Sequence, residues 1–84
     1  MKRKKWYGVY GFNGLGIYTD YQKLLDAHDY IRGGRIKSFP NQEEAEDFAT
    51  DGFIRLNNGV DALFATIPEG RTLQPNYFYF RAHK

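Results

Sequence analysis

Residues 5–39 switch between strand and helix periodicity twice. Lys5–Tyr10 (KWYGVY) is dense in aromatic and β-branched residues and predicts a first strand. Gly11–Gly14 (GFNG) supplies turn residues, because Gly and Asn tolerate positive φ. Gly16–Thr19 then returns as a second strand, completing a hairpin. In the stretch GLGIYTDY, Thr19 with Gln22 three positions on has the form of a capping box, so the strand hands over directly to a helix. Tyr21, Leu24, Leu25, His28 and Ile31 fall on one stripe of a 3.6-residue period, and Gly33-Gly34 stops it. Arg35–Phe39 (RIKSF) alternates again, with Ile36 and Ser38 on one face and Arg35, Lys37 and Phe39 on the other, and Pro40 ends this third strand.

A second helix follows from a cap signature at Asn41 and Glu44, with Ala45, Phe48 and Ala49 facing one way and Glu43 and Glu44 complementing the helix dipole. Beyond Gly52 the pattern thins. Val60, Leu63, Phe64 and Ile67 keep helical spacing up to Pro68, and Asn76–Arg81 (NYFYFR) reads as a late strand. The fold class expected is α+β: a small three-stranded antiparallel sheet with two helices, ββαβα, plus a C-terminal helix and strand extension. Residues 1–50 form the ββαβα domain, with 51–84 packed on it.

Composition narrows the class. At 84 residues the chain holds one domain at most, and 7 Tyr, 7 Phe and 1 Trp give that small core large rings to bury. The absence of cysteine excludes disulfides and thiolate metal sites. The basic N-terminus lacks an apolar segment, so no signal peptide is read. No run approaches the ~18 apolar residues of a membrane span, and the expected location is cytoplasmic. The formal net charge is +2, but residues 1–37 hold eight Lys/Arg against Asp20, Asp26 and Asp29, a balance of +5. Residues 38–84 hold four basic groups against seven acids, a balance of −3. That asymmetry gives either one face attractive to polyanions or, for Lys2–Lys5, a solubilising end.

Catalytic chemistry finds no support. Gly11, Gly14 and Gly16 precede a strand, not the helix that a dinucleotide loop requires, and read as a hairpin turn. His28 on the helix stripe reads as a partly buried core histidine. His83 is near the end and makes no i, i+4 pair with it that suggests zinc. Glu43, Glu44, Glu46 and Asp47 point in different directions from a helix, whereas two-metal hydrolysis needs converging carboxylates. No catalytic residue, metal or cofactor is expected. What remains is an interleaving of rings and cations at Lys5-Trp6-Tyr7, Tyr21 with Lys23, and Arg35-Ile36-Lys37. Rings on an open sheet face can stack on sugars or bases; alternatively the rings are core and the cations a solvated rim.

The series KWYGVYGFNGLGIYTDY…GGRIKSFPNQEEAEDF resembles the hybrid-binding domain at the N-terminus of type 1 ribonucleases H, shared with the viroplasmin of plant pararetroviruses. The likeness covers about Lys5 to Phe48 and rests on the aromatic-Tyr start, the GIYT return, the IKSF strand and the EEA helix; residues 52–84 carry none. The resemblance implies a non-catalytic module, without the nuclease domain, that binds RNA–DNA hybrid or double-stranded RNA with little sequence preference. On it, Tyr7, Tyr21, Ile36, Lys37 and Ser38 would grip the DNA strand. Backbone amides of the loop Arg32, Gly33, Gly34 and Arg35 would take RNA 2′-hydroxyls. Tyr21 stands where the family usually has Trp, Ile36 often where it has Phe, and Ser38 can replace a second Lys, which implies weaker binding. A second reading is a protein-interaction or assembly module of viroplasmin type, with a protein partner or self-association through YFYF of the C-terminal segment; no membrane partner is expected.

Overall fold

A hairpin forms because β1 (Trp6–Gly11) and β2 (Gly14–Tyr18) are joined only by Phe12 and Asn13. The computed structural model describes residues 5–67 and 72–80. Lys2, Arg3, Lys4, Pro68, Arg81 and His83 therefore lie outside the described residues. Both strands run longer toward the turn than their composition suggests, since the ladder closes at Gly11 opposite Gly14. The chain continues through α1 (Tyr21–His28), β3 (Arg35–Phe39), α2 (Gln42–Leu56), α3 (Val60–Thr66) and β4 (Tyr77–Phe80). The sheet is antiparallel with strand order β3-β1-β2-β4. It thus has four strands, where local pattern gave three plus an extension. YFYF is the fourth, its inner edge taken by β2.

The two sheet faces carry different cores. On one, Leu15 and Ile17 of β2 pack under Ala45, Ala49 and Phe53 of α2 and under Leu63, Ile67 and Leu73, with Trp6, Tyr10, Phe39 and Tyr79 at the margins. On the other, Val9, Tyr18 and Phe78 meet Leu24 and Ala27 of α1, with Tyr7, Ile31 and Ile36 beside them. The Asn41 cap is as expected: its Oδ1 accepts from the Glu44 amide at 2.9 Å, and its Nδ2 donates to the Glu44 carboxylate at 3.2 Å. The helical period then runs straight across Gly52. A Cβ at that position would overlap the Tyr10 ring, so this glycine marks a close approach of helix to sheet.

The start of α1 differs from the expected capping box. Asp20, not Thr19, is the N-cap, its carboxylate accepting from the Gln22 and Lys23 amides at 2.9 and 3.4 Å. Thr19 is occupied elsewhere. Its amide donates to Asn76 Oδ1 at 3.0 Å, and its hydroxyl accepts from Asn76 Nδ2 at 3.1 Å. The same Oδ1 accepts from the Asp20 amide at 3.1 Å, and the Asn76 amide donates to the Ile17 carbonyl at 2.7 Å. A residue of the C-terminal segment therefore brackets the strand-to-helix junction.

The end of α1 also comes earlier than Gly33. The amides of Asp29, Tyr30 and Ile31 reach back only three residues, to Asp26, Ala27 and His28, and this tightening closes the helix. The buried stripe is narrow, Leu24 and Ala27, whereas Tyr21, Leu25 and His28 are exposed. His28 is thus not a core histidine. Short and laid over one side of the sheet, the helix buries fewer positions than a full apolar stripe.

Candidate nucleic-acid interface

The site is built on β3 and β1, which α1 leaves partly uncovered. Register places Tyr7 directly across from Ser38, and Val9 across from Ile36. Residues opposite each other, or two apart on one strand, share a face. Tyr7, Ile36 and Ser38 therefore lie together on the α1 face. Asp20 capping starts α1 so that its first residue, Tyr21, sits beside them: the Tyr7 and Tyr21 ring centroids are 5.9 Å apart and tilted by 54°. Tyr21 is 58% exposed. A ring held against a neighbour yet open to solvent has an accessible π-face for a sugar or base.

Lys37 does not join that group. It lies opposite Gly8, on the α2 face, and its Nζ sits 5.7 Å from the centre of the Phe39 ring. Because β3 is an edge strand, Lys37 lies along the rim of the patch, not within it.

The loop Arg32, Gly33, Gly34 and Arg35 is stapled to the β1–β2 turn. The Phe12 amide donates to the Arg32 carbonyl at 2.9 Å, the Arg32 amide to Asn13 Oδ1 at 3.2 Å, and Asn13 Nδ2 to the Tyr30 carbonyl. Gly33 is left-handed at φ 65°, and a Cβ there would come within 2.7 Å of the Phe12 ring. Since Asn13 holds the Arg32 amide, that amide is committed within the fold. Asn13 is an organiser that local reading missed. Its only sequence signal was turn composition, and its partners are 17 and 19 residues away.

On the far side of α1, a groove of about 420 Å³ runs against β4, walled by Tyr18, Tyr30, Tyr77, Phe78 and Phe80, with Lys23 and Asp26 on the helix side. Burial there pushes the Tyr18 phenol up to about 12. One cation and one acid make this groove electrically mixed. The α2 acids do not converge: Glu44 serves the cap, and Glu46 accepts from the Leu73 amide at 3.1 Å. Among the described residues no group of three His, Asp or Glu is placed to hold a metal ion. None of their helices is long and apolar enough to cross a membrane.

A small antiparallel sheet with α1 on one face and α2 and α3 on the other, edged by tyrosines, a glycine loop and a basic strand, defines the class: a small α+β domain. A family model described as the ribonuclease H1 N-terminal domain matches residues 5–49, more than half of the chain. The chain belongs to this family of nucleic-acid-binding modules. The 84 residues contain no nuclease domain. The match runs from β1 into the middle of α2; the end of α2, α3 and β4 lie beyond it. No curated protein and no solved structure matches the chain.

Proposed function

We propose that this chain is a non-catalytic module binding RNA–DNA hybrid or double-stranded RNA through the minor groove, largely without regard to sequence. The observation that carries it is the convergence of Tyr7, Tyr21, Ile36 and Ser38 on one open sheet face, next to the Gly33-Gly34 loop. A-form duplexes expose 2′-hydroxyls in a wide, shallow minor groove, which a small sheet face can meet. On this reading Tyr7, Tyr21, Ile36 and Ser38 contact the DNA or second strand, and Lys37 reaches its phosphates from the rim. Arg35 and the backbone of Gly33 and Gly34 meet the RNA strand, with Arg32 supplying charge alone. Each phosphate neutralised lowers log K by about 0.9 per tenfold rise in salt. Labelled hybrid, double-stranded RNA and double-stranded DNA titrated at two salt concentrations test this. Hybrid and RNA duplex are expected to bind in preference to DNA; equal binding to all three, or none, rejects the proposal.

A second reading has a specific observation behind it. The sheet's two outer edges are unlike: β3 carries Arg35 and Lys37, whereas Tyr77–Phe80 of β4 has no charge and no proline. Edge strands are ordinarily blunted by such residues, so the outer edge of β4 suits strand addition by a protein partner or a second copy. Deleting the segment would strip the fold of a strand, so the test is Phe80→Lys at an exposed position. Light scattering is expected to show association in the wild type that this substitution abolishes. A monomer in both proteins at all concentrations rejects the second reading.

A further inference from the structure

The groove of about 420 Å³ between α1 and β4 takes no part in the duplex reading above. Its rings come from both elements. Phe78 and Phe80, two apart on β4, share the α1 face, with centroids 5.0 Å apart and rings nearly perpendicular at 83°. Phe80 in turn meets Tyr30 at 6.0 Å and 89°. Phe80 and Tyr30 are both exposed, so each offers ring surface to a ligand in the groove.

Three polar groups reach the same space. Lys23, Asp26 and Tyr30 fall at i, i+3 and i+7, one flank of the helix and its closing turn. Lys23 and Asp26 are exposed and make no ion pair with each other or with another described residue. The third group is the Tyr18 phenol at the floor. Tyr18 is only 3% exposed, yet its hydroxyl has no hydrogen-bond partner among the described residues. No polar side-chain atom among the buried and half-buried described residues is both sealed from solvent and unpartnered. The hydroxyl therefore opens into the groove that Tyr18 lines. Rings with a few convergent polar groups are the usual make-up of a small-ligand site.

The polar groups select the occupant. Guanine is the one nucleobase with two adjacent N–H donors beside a carbonyl oxygen. The Asp26 carboxylate can accept from that donor pair, the Lys23 ammonium can donate to the oxygen, and the phenol can donate to a ring nitrogen. The base plane can stack on Tyr30 or Phe80. An apolar peptide side chain would leave both charges unanswered. The groove also adjoins the duplex patch: Tyr18 is the cross-strand partner of Tyr7, and both belong to the cluster under α1. We propose that this groove holds one unpaired guanine of a single strand continuing from the bound duplex. This inference rests on the nucleic-acid reading above.

The test compares blunt hybrid with the same hybrid carrying a single-stranded overhang at either end. In the overhang, guanine, adenine, cytosine or thymine alternates with abasic positions; guanosine monophosphate is titrated separately. A guanine overhang is expected to raise affinity on the order of tenfold over blunt hybrid, toward the low end for one base stacked on an aromatic ring. The other bases are expected to gain less. Tyr30→Ala and Asp26→Asn are expected to abolish the guanine gain, and Tyr18→Phe, which removes only the hydroxyl, to reduce it. Affinity for blunt hybrid and thermal melting are expected to stay at wild-type values in all of them. Should Tyr30→Ala melt early, Asp26→Asn decides alone, since it keeps the shape of the side chain. No gain from any overhang, an equal gain from all bases, or a gain that survives Asp26→Asn overturns the guanine slot while leaving hybrid binding intact. Guanosine monophosphate competing fully with the guanine overhang at equal concentration overturns it in favour of a free-nucleotide site. Absence of wild-type binding to blunt and overhang hybrids alike removes the slot together with the reading it rests on.

Discussion

Phe53→Ala is expected to destabilise the fold by about 3–5 kcal/mol, the range for removing a buried aromatic ring from a core. Phe53 is completely buried and sits among Leu15, Ile17, Leu63, Ile67 and Leu73, so its removal opens a cavity between α2 and the sheet. Domains of this size have a total stability of about 5–15 kcal/mol. Such a loss consumes a large part of it and leaves a substantial unfolded population near physiological temperature. Denaturant unfolding of wild type and variant measures the change. A loss under about 1 kcal/mol would be that of an ordinary surface or edge position and would contradict the burial described here. Phe53 lies outside the family-matched segment, which ends at residue 49. The experiment therefore also asks whether the core depends on the later part of the chain.

Tyr21→Ala is expected to behave in the opposite way. The ring is more exposed than buried and lies tilted against Tyr7, so stability should change by no more than about 0.5 kcal/mol, as for most surface substitutions. Hybrid binding, by contrast, should weaken by about 1–3 kcal/mol, the value of one stacked base or sugar lost from an aromatic platform. The salt slope should stay nearly constant, because no charge is removed. Lys37→Ala serves as the comparison: it is expected to lower the slope by about one contact and to weaken all sequences alike. Melting and binding measured on the same Tyr21→Ala protein separate the outcomes. Wild-type binding with wild-type melting would mean the duplex lies on another face, and lost stability would mean that Tyr21 is a core ring after all.

The elements legible in the sequence were those with local causes. Arg35–Phe39 was readable to the residue, because alternation begins after two glycines and Pro40 forbids its continuation. The Asn41 cap was readable because both partners lie three residues apart. Non-local causes were silent. Thr19 has the composition of an N-cap, but it is diverted by Asn76, 57 positions away, and the next residue takes over the role. The pattern thins beyond Gly52, and nothing in its neighbourhood announces the Tyr10 ring that occupies the space of its missing side chain. YFYF read as a strand without a place, since its partner is β2 and strand pairing at that distance leaves no trace in either segment. The same division holds at the candidate site. Alternation put Ile36 and Ser38 on one face and Lys37 on the other. The proximity of Tyr7 to Tyr21, and the grip of Asn13 on the loop, required the folded chain.

The bracket that Asn76 makes on Thr19 and Asp20 has a consequence for transplantation. Tyr21 takes its position from a junction whose hydrogen bonds are supplied by the last ordered turn before β4, at a residue with φ of 64°. Residues 5–49 grafted alone onto a carrier protein would keep the tyrosines and lose the hinge-pin that aims one of them. The surface is therefore not portable as a motif. An engineer borrowing it would have to carry Asn76 and β4 along, or rebuild from the host the three side-chain hydrogen bonds that Asn76 makes to Thr19 and Asp20.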